Sequence, residues 1–306
     1  MAEQHASPVQ VWGKRLILTG LLVFTLVGVG VALAFAGAVS RMTEQIPLEG
    51  ALKGEDVPDR KGDPEAIARG EYLVNNVMAC KVCHGEDLGG HAEVDDPAFG
   101  RFWGGNLTSG EGSVVKDYTM ADWDRAIRHG LDPEGRRLLL MPSEDYYNFS
   151  AEDLAAAVAW IASQPAVDRA DEGITLRPVG AILVATGEFD FAFNKIDHDA
   201  PRPDAWGKVL AGTCKGCHGG GYSGGAIPGV PPDWPEAANL TPHETGLKAW
   251  SYDQFTTLMR TGERPDGSAV HPTSMPWENF KGMKEADLKA LWGFLQSLEP
   301  KAAGGR

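Results

Sequence analysis

The longest apolar stretch in the chain, residues 16–40 (LILTGLLVFTLVGVGVALAFAGAVS), contains no charged side chain. As a helix it would run roughly 37 Å, more than the ~30 Å hydrocarbon core of a bilayer. Small residues at Ala32 and Ala34 raise a cleaved signal peptide as the rival reading. A signal core of about 7–15 residues is much shorter than this run, so an uncleaved membrane-spanning helix is predicted. Lys14 and Arg15 precede it and Arg41 alone follows closely. The excess of positive charge before the span places the short N-terminus in the cytoplasm and the remainder outside. Gly30, Ala34 and Ala38 recur at four-residue spacing, a face suited to packing on another membrane helix.

Beyond residue 41 the apolar positions follow helical spacing in shorter stretches. SAEDLAAAVAWIASQP (150–165) opens with a Ser150/Asp153 capping box and carries Ala155, Val158 and Ile161 on one face. MKEADLKALWGFLQSLEP (283–300) is its counterpart, with Phe294 aligned to Trp160. Two earlier helices are expected around Tyr72, Leu73 and Val74 and around Trp206, Val209 and Leu210. The run in RPVGAILVATGEF (177–189) is too short to cross a bilayer and is expected to pack against a folded domain.

Each of the two earlier helices leads into one of two short phrases, ACKVCHG (79–85) and TCKGCHG (213–219), which use all four cysteines. An exported chain suggests disulfides first. Neither disulfides, nor a four-thiolate zinc site, nor a thioredoxin-like pair gives a use to the histidine after each second cysteine. Covalent c-type haem attachment uses every residue. Cys80, Cys83, Cys214 and Cys217 would form thioethers to the haem vinyl groups, and His84 and His218 would reach iron.

The rest of the sequence repeats with a period of about 134 residues. GGNLTSGEG and DWDRAIRHGLDPEGRRLLLMP follow the first phrase; AANLTPHETG and SYDQFTTLMRTGERPDGSAVHPTSMP follow the second. Such a period is a domain duplication, well above solenoid repeats. Cys80 to Met141 spans 61 residues, as does Cys214 to Met275, and a proline follows each methionine. A thioether is a soft neutral ligand that suits haem iron and raises its potential, so Met141 and Met275 are the expected second axial ligands. His271 is the chief competitor in the second domain, although Arg137 occupies the equivalent position in the first. Arg128 and Arg260 align and could pair with haem propionates or with surface carboxylates. Asn106-Leu107-Thr108 and Asn239-Leu240-Thr241 match a glycosylation pattern, but their recurrence beside glycine and proline predicts turns near the haem edge.

RGEYLVNNVMACKVCHG, the two NLT loops, RTGERPDG and the MPW at 275–277 make residues 62–300 resemble bacterial membrane-anchored dihaem cytochromes c. These are similar in turn to the cytochrome c subunits of membrane-bound alcohol and gluconate dehydrogenases. The resemblance implies a mostly α fold, an N-terminal transmembrane helix followed by two tandem class I cytochrome c domains, with two covalently bound haem c groups. The expected organisation is an anchor at 1–41, a flexible tether at 42–61, a first haem domain at 62–168, a linker at 169–201, a second haem domain at 202–300 and a tail at 301–306.

The net charge is −14, and Lys14, Arg15 and Arg41 against Glu3 leave −16 on the residues after 41. This excludes nucleic acid as a partner and favours redox proteins with basic docking surfaces. The expected location is the bacterial inner membrane, single-pass, with both haem domains on the periplasmic side. The related dehydrogenase subunits carry three haems, so the function expected here is a freestanding electron carrier with no small-molecule substrate. It would link a membrane donor to an oxidase or soluble cytochrome. The alternatives are a subunit of a membrane-bound dehydrogenase and a dihaem peroxidase, for which His271, His243 or His198 would matter.

Overall fold

The computed structural model describes residues 8–54, 57–227, 230 and 234–306. Helix α1, Pro8–Thr43, is long and apolar enough to cross a membrane, and its large apolar side chains from Leu16 to Val29, with Leu33, are exposed. One side of its last turns is covered instead, with Ala38 fully buried.

Residues 44–54, within the expected tether at 42–61, lie along the first domain. Glu44 pairs with Arg137 at 2.7 Å, the Ile46 N–H donates to Gly135 O at 2.8 Å, and Arg125 donates to Lys53 O at 2.5 Å. All three contacts are made to the segment 125–137.

Helix α2, Pro64–Asn76, starts at the Asp63 cap with proline in its first turn and buries Tyr72, Leu73 and Val74. The short turn α3, Cys80–His84, follows, then strands β1, His91–Asp96, and β2, Gly100–Gly104. Helix α4, Met120–Asp124, continues into a π-helical turn through His129. Then come α5, Ser143–Tyr146, and α6, Ala151–Ala162, where Ser150 accepts the Asp153 N–H as expected of its cap. The linker contributes strand β3, Ile174–Leu176, and helix α7, Pro178–Thr186. The second domain holds α8, Trp206–Gly212, α9, Lys215–His218, α10, Tyr252–Thr261, and α11, Glu285–Gln296.

Among the described residues the fold is mostly helical, with one antiparallel sheet in the order β1-β2-β3 that periodicity did not predict. Its strands are too short for alternation to speak, yet fully buried Phe102 pairs with Val94 on one side and Ile174 on the other. Around Phe102 a second apolar cluster gathers Ala38, Leu139, Ala181, Val184 and Phe191. Through it α7 packs against both the sheet and the end of α1. Ala38, read from sequence as part of a face for a foreign helix, is thus covered by the chain's own α7.

In both domains the first helix crosses the last at a glycine. A Cβ on Gly70 would lie 1.9 Å from Ala156 O, and one on Gly207 would lie 2.1 Å from Ala290 O. Trp160 and Phe294 flank the two crossings, which explains their alignment. The two domains also share one apolar core. Tyr72 of the first donates to Asp287 of the second, whose other oxygen accepts Trp206 Nε1–H at 2.8 Å.

Candidate haem-binding sites

The turn α3, and α9 with its N-cap Cys214, each carry one C-x-x-C-H phrase and end at a glycine in the left-handed half of backbone space, Gly85 at φ 81° and Gly219 at φ 78°. A side chain there would be strained, so the glycine after each histidine is a requirement of the turn. The chain then doubles back through Leu88 and Tyr222, at φ 56° and 58°. Their carbonyls accept the N–H groups of Leu107 and Leu240, both at 2.8 Å.

This contact brings in the NLT loops. Asn106 Oδ1 accepts from the Thr108 N–H and hydroxyl, and Asn239 Oδ1 does the same for Thr241. The amide groups reach Val167 O and Lys301 O, both at 2.7 Å. Both asparagines are buried and engaged, so these are turns, as expected.

The loops also hold the histidines. His84 Nδ1 lies 2.7 Å from Gly105 O, and His218 Nδ1 lies 2.7 Å from Ala238 O, the residues just before the two asparagines. A carbonyl oxygen only accepts, so each ring carries its proton on Nδ1 and leaves the Nε2 lone pair for a metal. Burial lowers both imidazoles below their ordinary range, favouring the neutral form that ligates. Sequence reasoning missed Gly105 and Ala238, although their place before each repeated NLT was a visible signal.

No disulfide joins the cysteines. Burial pushes Cys80 and Cys214 up to about 12 and Cys83 to about 11, and raises Cys217. Such thiols stay protonated at neutral pH, unlike the thiolates of a redox pair. Among the described residues no group of three or more His, Cys, Asp or Glu is placed to hold a metal ion, so the four cysteines do not assemble a zinc tetrad.

Met141 and Met275 sit in matching turns. The prolines after them have nearly the same backbone, φ −79°, ψ 59° at Pro142 and φ −78°, ψ 56° at Pro276. The carbonyl of each methionine accepts the N–H two residues on, at 2.8 and 2.7 Å. In the second domain a cavity of about 250 Å³ is lined by Cys214, Cys217, His218 and Met275 together. His271 does not line it; it is exposed and accepts the Thr273 N–H on its ring. In the first domain Cys80 and Met141 pack, half-buried, on the same apolar core. This donor set fits haem: two thiols and a neutral imidazole on one turn, with a methionine sulfur lining the same apolar space.

The other aligned and competing residues are engaged elsewhere. Arg128 is fully buried and paired with Asp124, and Arg260 donates to Lys281 O. His198 meets His129 ring to ring, Nδ1 to Nδ1 at 2.9 Å, and His243 bonds Thr245.

The two sites adjoin. Val77, three residues before Cys80, lines the second domain's cavity. Asp145, four residues after Met141, accepts the N–H of Gly216 between the second pair of cysteines at 3.0 Å. Nothing in the sequence pointed to Asp145, whose counterpart in the second repeat is Asn279.

Residues 205–299 match the cytochrome c family, and residues 65–161 match cytochrome c oxidase, cbb3-type, subunit III. The chain is built from two cytochrome c domains. Its cofactors are two covalently bound haem c groups. The fructose dehydrogenase cytochrome subunit of Gluconobacter japonicus is 26% identical over 79% of this chain and 54% of its own length. The cytochrome c subunit of the quinone alcohol dehydrogenase of Gluconobacter oxydans is 27% identical over 77% of this chain and 55% of its own. A dihaem c-type cytochrome of Cereibacter sphaeroides is 26% identical over 78% of this chain and 90% of its own length. This dihaem chain therefore spans about half the length of the dehydrogenase subunits that it matches.

Proposed function

We propose that this dihaem cytochrome c is the electron-transfer subunit of a membrane-bound dehydrogenase facing the periplasm. The relatives named for fructose and alcohol dehydrogenases support this reading above the freestanding shuttle expected from the sequence. When bound, each haem c supplies a one-electron Fe(III)/Fe(II) couple. Cys80 and Cys83 would hold the first and Cys214 and Cys217 the second. His84 and Met141 would hold the first iron, and His218 and Met275 the second. An iron held by both a histidine and a methionine would offer no open place for oxygen or peroxide. The buried, carbonyl-tied histidines hold the donor geometry fixed, which keeps reorganisation small as electrons pass.

The observation that carries the proposal is the adjacency of the two sites, with Asp145 and Val77 of one domain forming part of the other's surroundings. Oxidising an alcohol to a carbonyl releases two electrons and two protons, and two adjoining one-electron centres can accept such a pair. Helix α1 anchors the chain, with Lys14 and Arg15 on the cytoplasmic side. The charge of −16 after residue 41 would steer a basic partner surface and make docking salt-sensitive.

Purification of a tagged chain from its native membranes in mild detergent tests the reading. A flavin- or quinone-containing dehydrogenase should copurify in fixed ratio, and its alcohol or sugar substrate should reduce both haems. A second reading, a freestanding dihaem carrier, is favoured by the near full-length match to the Cereibacter sphaeroides cytochrome. Recovery of the chain alone, reducible by a quinol-oxidising complex, would select it.

A further inference from the structure

Outside α1, the large apolar side chains that stand exposed among the described residues are Val114, Val179 and Ile182. Two of these three lie on α7, a nine-residue helix with no charged or strongly polar side chain except Thr186 at its end. Val179, Ile182 and Thr186 share one exposed stripe, while Gly180, Ala181 and Val184 on the other side are buried. An apolar helix with one face on protein and an equally apolar face open is unusual for a surface in water.

Its position supplies the occupant. A Cβ on Gly37 would meet Ala185 Cβ at 3.3 Å, Ala38 is buried beneath α7, and Arg41 donates to Val184 O and pairs with Asp190 at 2.6 Å. Thus α7 lies beside the last turns of the spanning helix, where its roughly 37 Å apolar run overshoots a ~30 Å hydrocarbon core. The ends of α7 are also prepared for a dry setting. The Val179 N–H donates to Ala98 O at 3.1 Å, Leu183 O accepts the Phe189 N–H at 3.0 Å, and the Thr186 hydroxyl donates to Ile182 O at 2.9 Å. Groups without such partners would be costly away from water.

We propose that α7 is a second membrane contact, seated in the acyl-headgroup boundary of the outer leaflet with the Val179–Ile182 stripe against lipid. The first haem domain is then held to the bilayer at two points, α1 and α7, and keeps one orientation to the membrane surface. This rests on α1 being the anchor, and is independent of which dehydrogenase or quinol complex supplies electrons.

The test uses the full-length holoprotein in vesicles of phosphatidylcholine and phosphatidylglycerol. A lipid bearing a diazirine on its acyl chain is photolysed, and adducts are mapped by mass spectrometry. Adducts are expected within residues 16–40 and within 178–186, and none around Val114. In the same vesicles an Ile182→Cys thiol should react with a charged maleimide about tenfold more slowly than Val114→Cys. Labelling of 16–40 without 178–186, or equal maleimide rates, overturns the proposal alone. A slow Ile182→Cys rate without lipid adducts means a protein covers the stripe, and also overturns it. Absence of adducts from 16–40 overturns the anchor and the proposal together.

Discussion

The Asp145 carboxylate accepts a 3.0 Å hydrogen bond from the Gly216 N–H, so the segment carrying Met141 touches the turn carrying His218. Burial raises the Asp145 pKa well above the ordinary carboxylate range. The charge of Glu144 adds to this, while the Gly216 N–H, Lys215 and Lys195 oppose it. A folded value above the unfolded value of about 3.9 means that the folded state binds the extra proton between the two. The stabilisation is therefore complete below about pH 4 and is lost as pH rises through the folded value. Thermal melts of the holoprotein should show this decline, and Asp145→Asn, which keeps an acceptor for Gly216, should flatten it. Overlapping pH profiles for the two proteins would exclude Asp145 as the source.

Met275 shares a cavity with Cys214, Cys217 and His218, which makes its removal directly readable. Met275→Ala should let carbon monoxide bind about half of the reduced haem, where the parent binds little, because one axial place opens. The potential of that haem should fall by on the order of 0.1 V, a fraction of the ~0.8 V that axial ligands span. Met141→Ala should do the same for the other haem. His271→Ala should change neither optical spectrum, since its ring does not line the cavity.

The helix crossings give a matched pair of packing tests. A Cβ on Gly70 or Gly207 would fall about 2 Å from a carbonyl oxygen of the partner helix, at Ala156 or Ala290. Both contacts involve backbone, so relief requires moving a helix. Gly70→Ala and Gly207→Ala should each destabilise by about 1–3 kcal/mol or more, from overpacking. Gly293→Ala, with nothing within 4 Å of the added atom, is the control and should melt like the parent. Denaturant unfolding followed at the haem bands would measure all three.

The duplication made much of this arrangement legible before any coordinates. Paired phrases, equal 61-residue spacings and the recurring NLT and MP signals are local and repeated, so each copy served as a check on the other. The carbonyls of Gly105 and Ala238 were within reach of the same comparison, but backbone acceptors leave no mark on residue identity. What stayed hidden lies outside the repeat. Strands β1 to β3 are too short for a period to show, and one of them comes from the linker. The docking of residues 44–54 depends on partners 72 to 93 positions away, such as Lys53 with Arg125 and Glu44 with Arg137. Asp145 was invisible because its counterpart is an asparagine, so symmetry argued nothing for it.

The contact between the two domains has, besides Asp145 with Gly216, a polar centre at Tyr72 that can be cut. Tyr72 donates to Asp287 and accepts the Lys284 N–H at 3.0 Å, and Arg69 and Lys284 sit over its ring. Tyr72→Phe keeps the ring and its cation contacts while removing the hydroxyl. Asp287 then retains Trp206 Nε1–H, but its buried carboxylate loses a donor and the part-buried Lys284 N–H loses its acceptor. Leaving buried groups unpaired costs about 1–3 kcal/mol, a sizeable part of the ~5–15 kcal/mol that holds a typical domain folded. Because Tyr72 and Asp287 belong to different domains, the cost falls on their coupling. Guanidinium unfolding of Tyr72→Phe should therefore separate into two steps, with the Met141 and Met275 haem bands lost at different denaturant concentrations. A single cooperative step at the parent midpoint would mean that the shared apolar core alone ties the two haem domains together.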